Sequence, residues 1–419
     1  MNVLWMTNTP AGAELEFGYN HQGGSWISAL LKKMTRDPKI NLGICFFYDG
    51  KDYKTASING IPYFGMPLKE RHTLSRIYDR HRGILTDDSD KFIQRVLDEF
   101  SPDIIQVFGT EMGYGQILEK RSKKVLFHLQ GLTEPYAEVY FPPRIGRWNT
   151  FIREPLPSII RGLTFVHQHS WLKFRGKREL RLIRNWNYFT GRTDWDKNYT
   201  RLLNPEAKYF HCEEMLRTTF YSCRWESPAV AAKDKLIISS TINPNMYKGL
   251  DLIYRVIPLL DKIDFEWRIY GIEEQNSLNR IIKKVLGIRE EKKKLHFMGK
   301  TSETELAKAL TESHLFIHPS YIDNSPNSVC EAMLLGMPVL SSSVGGVSSL
   351  ITHKTTGYLF NPYDRYDLAG WITHILQHYD DAVACGSEAR RIALKRHDPE
   401  SIHENLKRIY LEIISDVRG

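Results

Sequence analysis

The sequence predicts an α/β protein built from two successive strand–helix series, one in each half of the chain. Three observations carry that prediction. The chain has 419 residues, enough for two domains with complete cores. Short apolar runs recur, and PDIIQVF at Pro102–Phe108 is nearly continuous, the pattern of a parallel strand buried on both faces. Between such runs lie stretches whose apolar residues repeat at i, i+3 and i+4, the period of an amphipathic helix.

In the first half, Asn2–Thr7 is expected as a buried strand. A polar loop leads to His21-Gln22-Gly23-Gly24-Ser25, which opens a helix with Trp26, Ile27, Leu30, Leu31 and Met34 on its apolar side. Strand, glycine pair and helix start suit the close approach of a phosphate, because no Cβ stands between backbone and anion. A tight turn would use the same glycines. Leu42–Tyr48 and Ile61–Gly65 read as strands, and Ser89–Phe100 as a helix capped by Asp88-Ser89-Asp90. Lys124–Leu129 is a strand carrying His128 near its carboxyl end, where open α/β sheets hold ligands.

Tyr209–Trp225 and Pro228–Lys233 read as the passage between domains, and Leu236–Ser240 begins the second series. Lys248 precedes a helix with Leu250, Ile253, Ile257 and Leu260 on one side; a lysine there can neutralise a diphosphate. Phe265–Tyr270, ending at Gly271, and Leu295–Gly299 are strands. Ser302 with Glu305 forms a capping box for the next helix. Thr356–Phe360 is a late strand. Pro399–Ile414 is a final helix, capped by Asp398, with Ile402, Leu406, Ile409 and Ile413 on one stripe.

Composition narrows the class. Hydrophobic content of 42% and charged content of 25% are those of a soluble globular protein. No apolar run reaches the roughly 18 residues of a membrane span. The N-terminus has no basic leader, so it reads as a strand and not a signal peptide. Five cysteines, none in C-x-x-C, fit reduced thiols in a cytoplasm. The net charge of +8 is concentrated: Arg144–Arg184 holds ten Lys/Arg and two Glu. Trp148, Phe151, Phe165, Trp171 and Phe174 are interleaved with them. Such a segment suits an anionic partner, with Arg175, Lys177, Arg178 and Arg181 as the expected acceptor-side or membrane surface. The alternative is a solvated basic face over core aromatics.

The most informative stretch is HLFIHPSYIDNSPNSVCEAMLLGMPVLSSSVGG, His314–Gly346. It reads as strand, polar loop, helix from Val329 to Leu335 ending at Gly336, strand, and Gly-Gly turn. The loop feeds a helix N-terminus, whose free amides and dipole favour phosphate. Asp323 in the loop and Glu331 in the helix can accept hydrogen bonds from sugar and ribose hydroxyls.

An acid, seven residues, Glu-Ala-Met, then Gly-x-Pro-Val and a Gly-Gly turn resembles the donor-site signature of family 4 glycosyltransferases. The resemblance is specific over about Lys235–Asn361. Gly191-Arg192-Thr193-Asp194-Trp195-Asp196 also resembles a short segment of many members. It implies the GT-B fold: two Rossmann-like domains facing a central cleft, with a C-terminal helix packing back across both. The expected divisions are 1–205, a passage at 206–233, 234–398, and the helix 399–419. It implies a retaining transferase that moves a sugar from a UDP- or GDP-linked donor to a glycan or polyprenyl-linked acceptor. The expected setting is bacterial surface polysaccharide synthesis, in the cytoplasm or peripheral on the inner membrane face, with no metal, cofactor or nucleic acid.

By the same resemblance Lys248, the Gly23 and Gly24 amides and the helix start at Asn327, Ser328 and Val329 hold the diphosphate. Glu331 binds ribose, while His128 and Asp323 hold sugar hydroxyls. The family's usual first acid is Glu, one methylene longer than Asp323. Where members carry an Arg, this chain has Ser239-Ser240-Thr241, so either the hydroxyls of Ser240 and Thr241 stand in or charge neutralisation is weaker; Gly271 completes the set. Asp88-Ser89-Asp90 and Asp194-Trp195-Asp196 mimic a metal motif of another glycosyltransferase fold and are not expected to bind one. The other classes weighed are an epimerase of the same fold and a non-catalytic nucleotide- or lipid-binding member. A dinucleotide oxidoreductase is disfavoured, because no G-x-G-x-x-G follows the first strand.

Overall fold

The structure, a computed structural model, describes residues 1–19, 26–67, 82, 87–122, 124–228, 235–288 and 294–416. They form two compact units. The first contains Met1–Glu134, Ser170–Met215 and His397–Gly419; the second contains Pro135–His169 and Leu216–Arg396.

In the first unit eight strands make one sheet: β1 (Asn2–Thr7), β2 (Asn41–Tyr48), β3 (Lys54–Ile58), β4 (Ile61–Pro67), β5 (Ile104–Phe108), β6 (Val125–His128), β7 (Tyr188–Gly191) and β8 (Lys208–His211). Their spatial order is β3-β4-β2-β1-β5-β6-β7-β8, parallel throughout except for the β3–β4 hairpin. That hairpin turns at Asn59 and Gly60, both with positive φ (53° and 79°), the conformation an Asn-Gly pair tolerates. β3, β7 and β8 were not anticipated from the sequence; the Asn59-Gly60 pair was the available signal for β3.

The sheet is covered on both faces, as its near-continuous apolar strands require. Along β1, Val3 and Trp5 enter one buried cluster, while Leu4 and Met6 enter the other. The final helix, Pro399–Ser415, starts as expected with Asp398 accepting from the Ser401 amide. Its stripe of Ile402, Leu406, Ile409 and Ile413 lies in the Trp5 cluster. Trp5 Nε1 donates to the Tyr410 hydroxyl at 3.1 Å, and that hydroxyl donates to Gln106. The last helix is therefore built into the core of the first unit.

The second unit carries six parallel strands: β9 (Leu236–Thr241), β10 (Phe265–Tyr270), β11 (Leu295–Gly299), β12 (Leu315–His318), β13 (Val339–Ser342) and β14 (Tyr358–Phe360). Their order is β11-β10-β9-β12-β13-β14. The capping box forms, with Ser302 accepting from the Glu305 amide and Glu305 from the Ser302 amide. Gly336 ends the Asn327–Leu335 helix in the left-handed region (φ 90°). Helices Arg365–Gln377 and Tyr379–Arg396, not singled out in the sequence, complete this unit.

The division departs from the expected one at residues 135–169, which group with the second unit. Aromatic packing gives the reason: the rings of Tyr136 and Tyr140 lie 5.1 and 6.0 Å from that of Tyr247. Residues 206–215 stay with the first unit through β8. The Asp87–Phe100 helix begins before Asp88-Ser89-Asp90, so that motif fills a first helical turn and does not cap it.

Glu179, on the Phe165–Asn185 helix, is fully buried in the first unit. The hydroxyls of Thr110 and Thr133 donate to its carboxylate. Burial pushes the Glu179 carboxyl up to about 7, and these donors offset only part of the rise. A folded acid whose pKa lies above its unfolded value of 4.5 stabilises the fold below that value, and the contribution is lost as pH rises through about 7. Glu179→Gln should flatten the stability profile across this window. The difference should be on the order of 3 kcal/mol, in urea unfolding compared at about pH 5 and about pH 8.

Candidate functional site

Within the second unit, the ends of β9 and β12 are drawn together by a glycine. After β9 the chain makes a single 3-10 turn, Met246–Lys248, and Gly249 takes a left-handed conformation (φ 78°) before the Leu250–Val256 helix. A Cβ on Gly249 would lie 2.0 Å from the Pro319 carbonyl oxygen, so only glycine allows this approach. The Tyr321 amide donates to the Tyr247 carbonyl at 2.8 Å and ties the two loops. Lys248 from one loop thereby meets Asp323 from the other.

Asp323 is the centre of this arrangement. Its Oδ2 lies 2.6 Å from Lys248 Nζ and 3.1 Å from His318 Nε2, and its Oδ1 accepts from the Tyr136 hydroxyl at 3.1 Å. The same hydroxyl accepts from the Asn324 amide at 3.0 Å. Burial alone would raise the Asp323 carboxyl; Lys248 and His318 outweigh it and hold the acid well below the usual carboxylate range. The Tyr136 phenol, buried beside that carboxylate, is pushed well above its ordinary value and stays protonated.

His318, the last residue of β12, is buried, and desolvation lowers its pKa despite Asp323. A neutral imidazole facing a carboxylate donates through Nε2, which leaves Nδ1 as an acceptor. That Nδ1 has no hydrogen-bond partner, and neither do the buried hydroxyls of Thr241, Ser320 and Ser342. All four stand at or just beyond the carboxyl ends of β9, β12 and β13, which are neighbours in the sheet. The Asn327–Leu335 helix follows, with Pro326 at its N-cap and no side-chain cap. Asn327 and Ser328 are half-buried in its first turn.

Glu331 is buried and held by Arg217, with Nε to Oε1 at 2.6 Å and Nη2 to Oε2 at 2.7 Å. Burial raises the Glu331 carboxyl and Arg217 pulls it down. The Arg217 guanidinium also lies 4.8 Å from the Phe220 ring centre. Each carboxylate oxygen keeps a lone pair for a hydroxyl donor.

Several expected residues are placed differently. Ser240 is fully buried; its hydroxyl donates to the Ile317 carbonyl at 2.6 Å and accepts from Trp267 Nε1 at 3.0 Å, so it braces the sheet. Val329 is a core side chain, and its amide donates to the Pro326 carbonyl at 3.0 Å. Gly271 (φ 97°) is needed because a Cβ would lie 2.5 Å from the Ile242 carbonyl oxygen.

In the first unit His128 is buried, with Nε2 2.8 Å from Glu214 Oε1 and its ring stacked on Trp26 at 5.5 Å. Glu214 also binds Arg192 at 2.7 Å. This ring nitrogen is therefore engaged inside the unit. Asp196 accepts from the Arg192 amide and the Tyr209 hydroxyl, a structural role. Gly23 and Gly24 lie outside the described residues. Of the basic set, Lys177 and Arg181 are exposed and Arg175 is half-buried. Arg178 is buried and corrects the expectation of a surface residue: it donates to the Arg82 and Glu111 carbonyls. Among the described residues Asp37, His403 and Glu404 could group around a metal, but Lys407 Nζ already lies 2.6 Å from Asp37 Oδ2. No helix of the described residues is long and apolar enough to cross a membrane.

Residues 224–392, which contain Lys248, Asp323 and Glu331, match the family model described as glycosyl transferases group 1. The likeness to group 1 glycosyl transferases lies in that segment. N-acetyl-alpha-D-glucosaminyl L-malate synthase of Bacillus anthracis is 22% identical over 45% of this chain and 48% of its own length. The chain thus spans about half the length of the curated relatives it matches. Among solved structures, sucrose-phosphate synthase of Thermosynechococcus elongatus superposes with a TM-score of 0.72 at 14% identity. The match covers 99% of this chain and all (100%) of that one. Anabaena Alr3699/HepE in complex with UDP-glucose superposes at 0.64 with 13% identity, over 98% and 100%. The fold is GT-B.

Three side chains that hold Asp323 and Glu331 were missed by sequence reasoning. His318 had a signal, a histidine closing a strand. Tyr136 and Arg217 had none, since 187 and 114 residues separate them from Asp323 and Glu331. Tyr136→Phe should destabilise the fold by about 1–3 kcal/mol in urea unfolding, because Asp323 Oδ1 and the Asn324 amide lose a shared buried partner. Lys248→Met should cost about 3–5 kcal/mol at neutral pH. Its deficit should shrink below about pH 4, where Asp323 in the variant takes up a proton and no buried charge remains.

Proposed function

We propose that the protein is a retaining, family 4-type glycosyltransferase that moves a sugar from a UDP- or GDP-linked donor to a glycan or polyprenyl-linked acceptor. The observation that carries this reading is the convergence of Lys248, Asp323, His318 and four unpartnered polar atoms at the carboxyl ends of β9, β12 and β13. Open α/β sheets bind nucleotides at such strand ends. The UDP-glucose complex of Alr3699/HepE, a protein of the same fold, supports a nucleotide-sugar donor here.

In this reading the diphosphate lies between Lys248 and the first turn of the Asn327–Leu335 helix, where the ammonium and the positive end of the helix dipole take up its charge. Lys248 then shares its proton donors between phosphate and Asp323. Asp323, ionised at neutral pH, accepts from sugar hydroxyls through lone pairs not used by Lys248, His318 and Tyr136. Glu331, oriented by Arg217, accepts from ribose. Thr241, Ser320 and Ser342 offer further hydroxyls. Transfer follows front-face attack. The acceptor oxygen bonds to the anomeric carbon as its bond to the diphosphate breaks, and the departing phosphate oxygen takes the acceptor proton. Catalysis then rests on positioning and charge stabilisation, with no metal. Bacterial surface polysaccharide assembly, at the inner face of the cell membrane, is the setting this chemistry fits.

Thermal unfolding with UDP, GDP, ADP, CMP or NAD, each with and without EDTA, tests the donor site. A ligand that binds only the folded chain stabilises it by about 2.7 kcal/mol at a hundredfold excess over Kd. UDP or GDP should raise Tm with or without EDTA, and Lys248→Ala should abolish the rise. A chain indifferent to every nucleotide would overturn the reading. An adduct on Asp or Glu in intact-mass analysis during turnover would overturn front-face attack.

A further inference from the structure

The structure assigns a second surface, distinct from the donor site: we propose that residues 144–163 form a face that docks on an anionic lipid bilayer. Two short helices, Arg147–Phe151 and Leu156–Ile160, present it. Five large apolar side chains there stand in solvent: Trp148 is 72% exposed, Ile152 54%, Leu156 66%, Ile160 69% and Leu163 38%. They are anchored from beneath by buried Ile145, Thr150 and Phe165. A contiguous sequence stretch that exposes this much apolar surface on a folded chain marks a contact face.

Charge chooses the occupant. Arg144, Arg147 and Arg161 are exposed among these apolar side chains. Glu154 is the only acid between Val139 and Arg178. It is buried, and its Oε1 accepts from the Phe165 amide at 2.7 Å, so it shows no charge outside. The Arg147–Phe151 helix lies against the Ser277–Leu286 helix, which adds exposed Arg280 and Lys284. Tryptophan, branched aliphatics and arginines, with no exposed acid in residues 144–163, match the depth profile of a lipid headgroup layer, with apolar tips at the acyl boundary and guanidinium groups on phosphates. Two such short helices can lie in the interface plane and need no span. This face differs from the expected one on the Phe165–Asn185 helix, where Arg178 is buried.

Co-sedimentation of the full chain tests this, with vesicles of phosphatidylcholine alone or mixed equally with phosphatidylglycerol. The wild type should pellet with the mixed vesicles and remain in solution with phosphatidylcholine alone. Arg144→Ser/Arg147→Ser/Arg161→Ser should weaken partitioning on the order of a hundredfold, at about fivefold per arginine. Trp148→Ser/Ile152→Ser/Leu156→Ser/Ile160→Ser should abolish it, while Tm and the nucleotide-induced shift stay those of the wild type, since these side chains lie outside both core and donor site. Lys177→Ser/Arg181→Ser, exposed but elsewhere, should bind as wild type. A wild type that never pellets, patch variants that pellet unchanged, or equal loss in the Lys177/Arg181 control would overturn the proposal. So would self-association that the apolar variant abolishes without vesicle binding, because the occupant would then be a second copy.

Discussion

An ammonium and a carboxylate, both withdrawn from water at the ends of adjacent strands, set the terms for the second unit. The Lys248–Asp323 pair cannot be dismissed as a surface contact: Asp323 is also tied to His318 and Tyr136, so its charge is spread over three donors. Desolvation of such a pair costs several kcal/mol per ion and is offset only when geometry and extra hydrogen bonds are good. Gly249 supplies the geometry by letting its loop touch the Pro319 carbonyl. Apolar residues of equal volume would hold the sheet as well. Retention of the ions is therefore most simply understood as preparation for a ligand that competes for the lysine.

Three buried acids illustrate how environment divides one chemistry into three states. Asp323 stays charged because Lys248 and His318 overcome its burial. Glu331 has one strong partner, Arg217, against nearly complete burial, and its carboxyl remains raised. Glu179 has only neutral hydroxyl and amide donors and is pushed to about 7. A sequence presents all three alike. The sign of each shift is the balance between burial and the cations that the fold brings beside the acid.

The chain's excursion through Pro135–His169 ties these levels together. It leaves the first unit after Glu134, and it rejoins at Ser170 along the Phe165–Asn185 helix. One end delivers Tyr136 to Asp323 and packs Tyr136 and Tyr140 on Tyr247, beside Lys248. Further along, the same excursion exposes Trp148, Ile152, Leu156 and Ile160. In the proposed reading, this element, which touches Asp323 and also presents an apolar, basic face, would bring a lipid-borne acceptor toward the nucleotide-sugar donor.

The α/β class, most strands of both sheets, the capping box at Ser302 and the terminal helix at Pro399 followed from sequence alone, because each depends on periodicity or on residues within one turn of one another. The positions of Lys248, Asp323 and Glu331 at a helix start, in a strand-end loop and in a helix were legible for a related reason: loops at strand ends and helix starts have fixed local chemistry. Tertiary structure alone decided the rest. Ser240 and Val329 turned inward, since the side of a strand or helix that faces the core depends on what is packed there. Arg178 was buried, and His128 was engaged by Glu214, for the same reason. Tyr136 and Arg217 became partners of the two site acids through contacts spanning more than a hundred residues, and no local pattern encodes a contact whose two halves meet only when the sheets have formed.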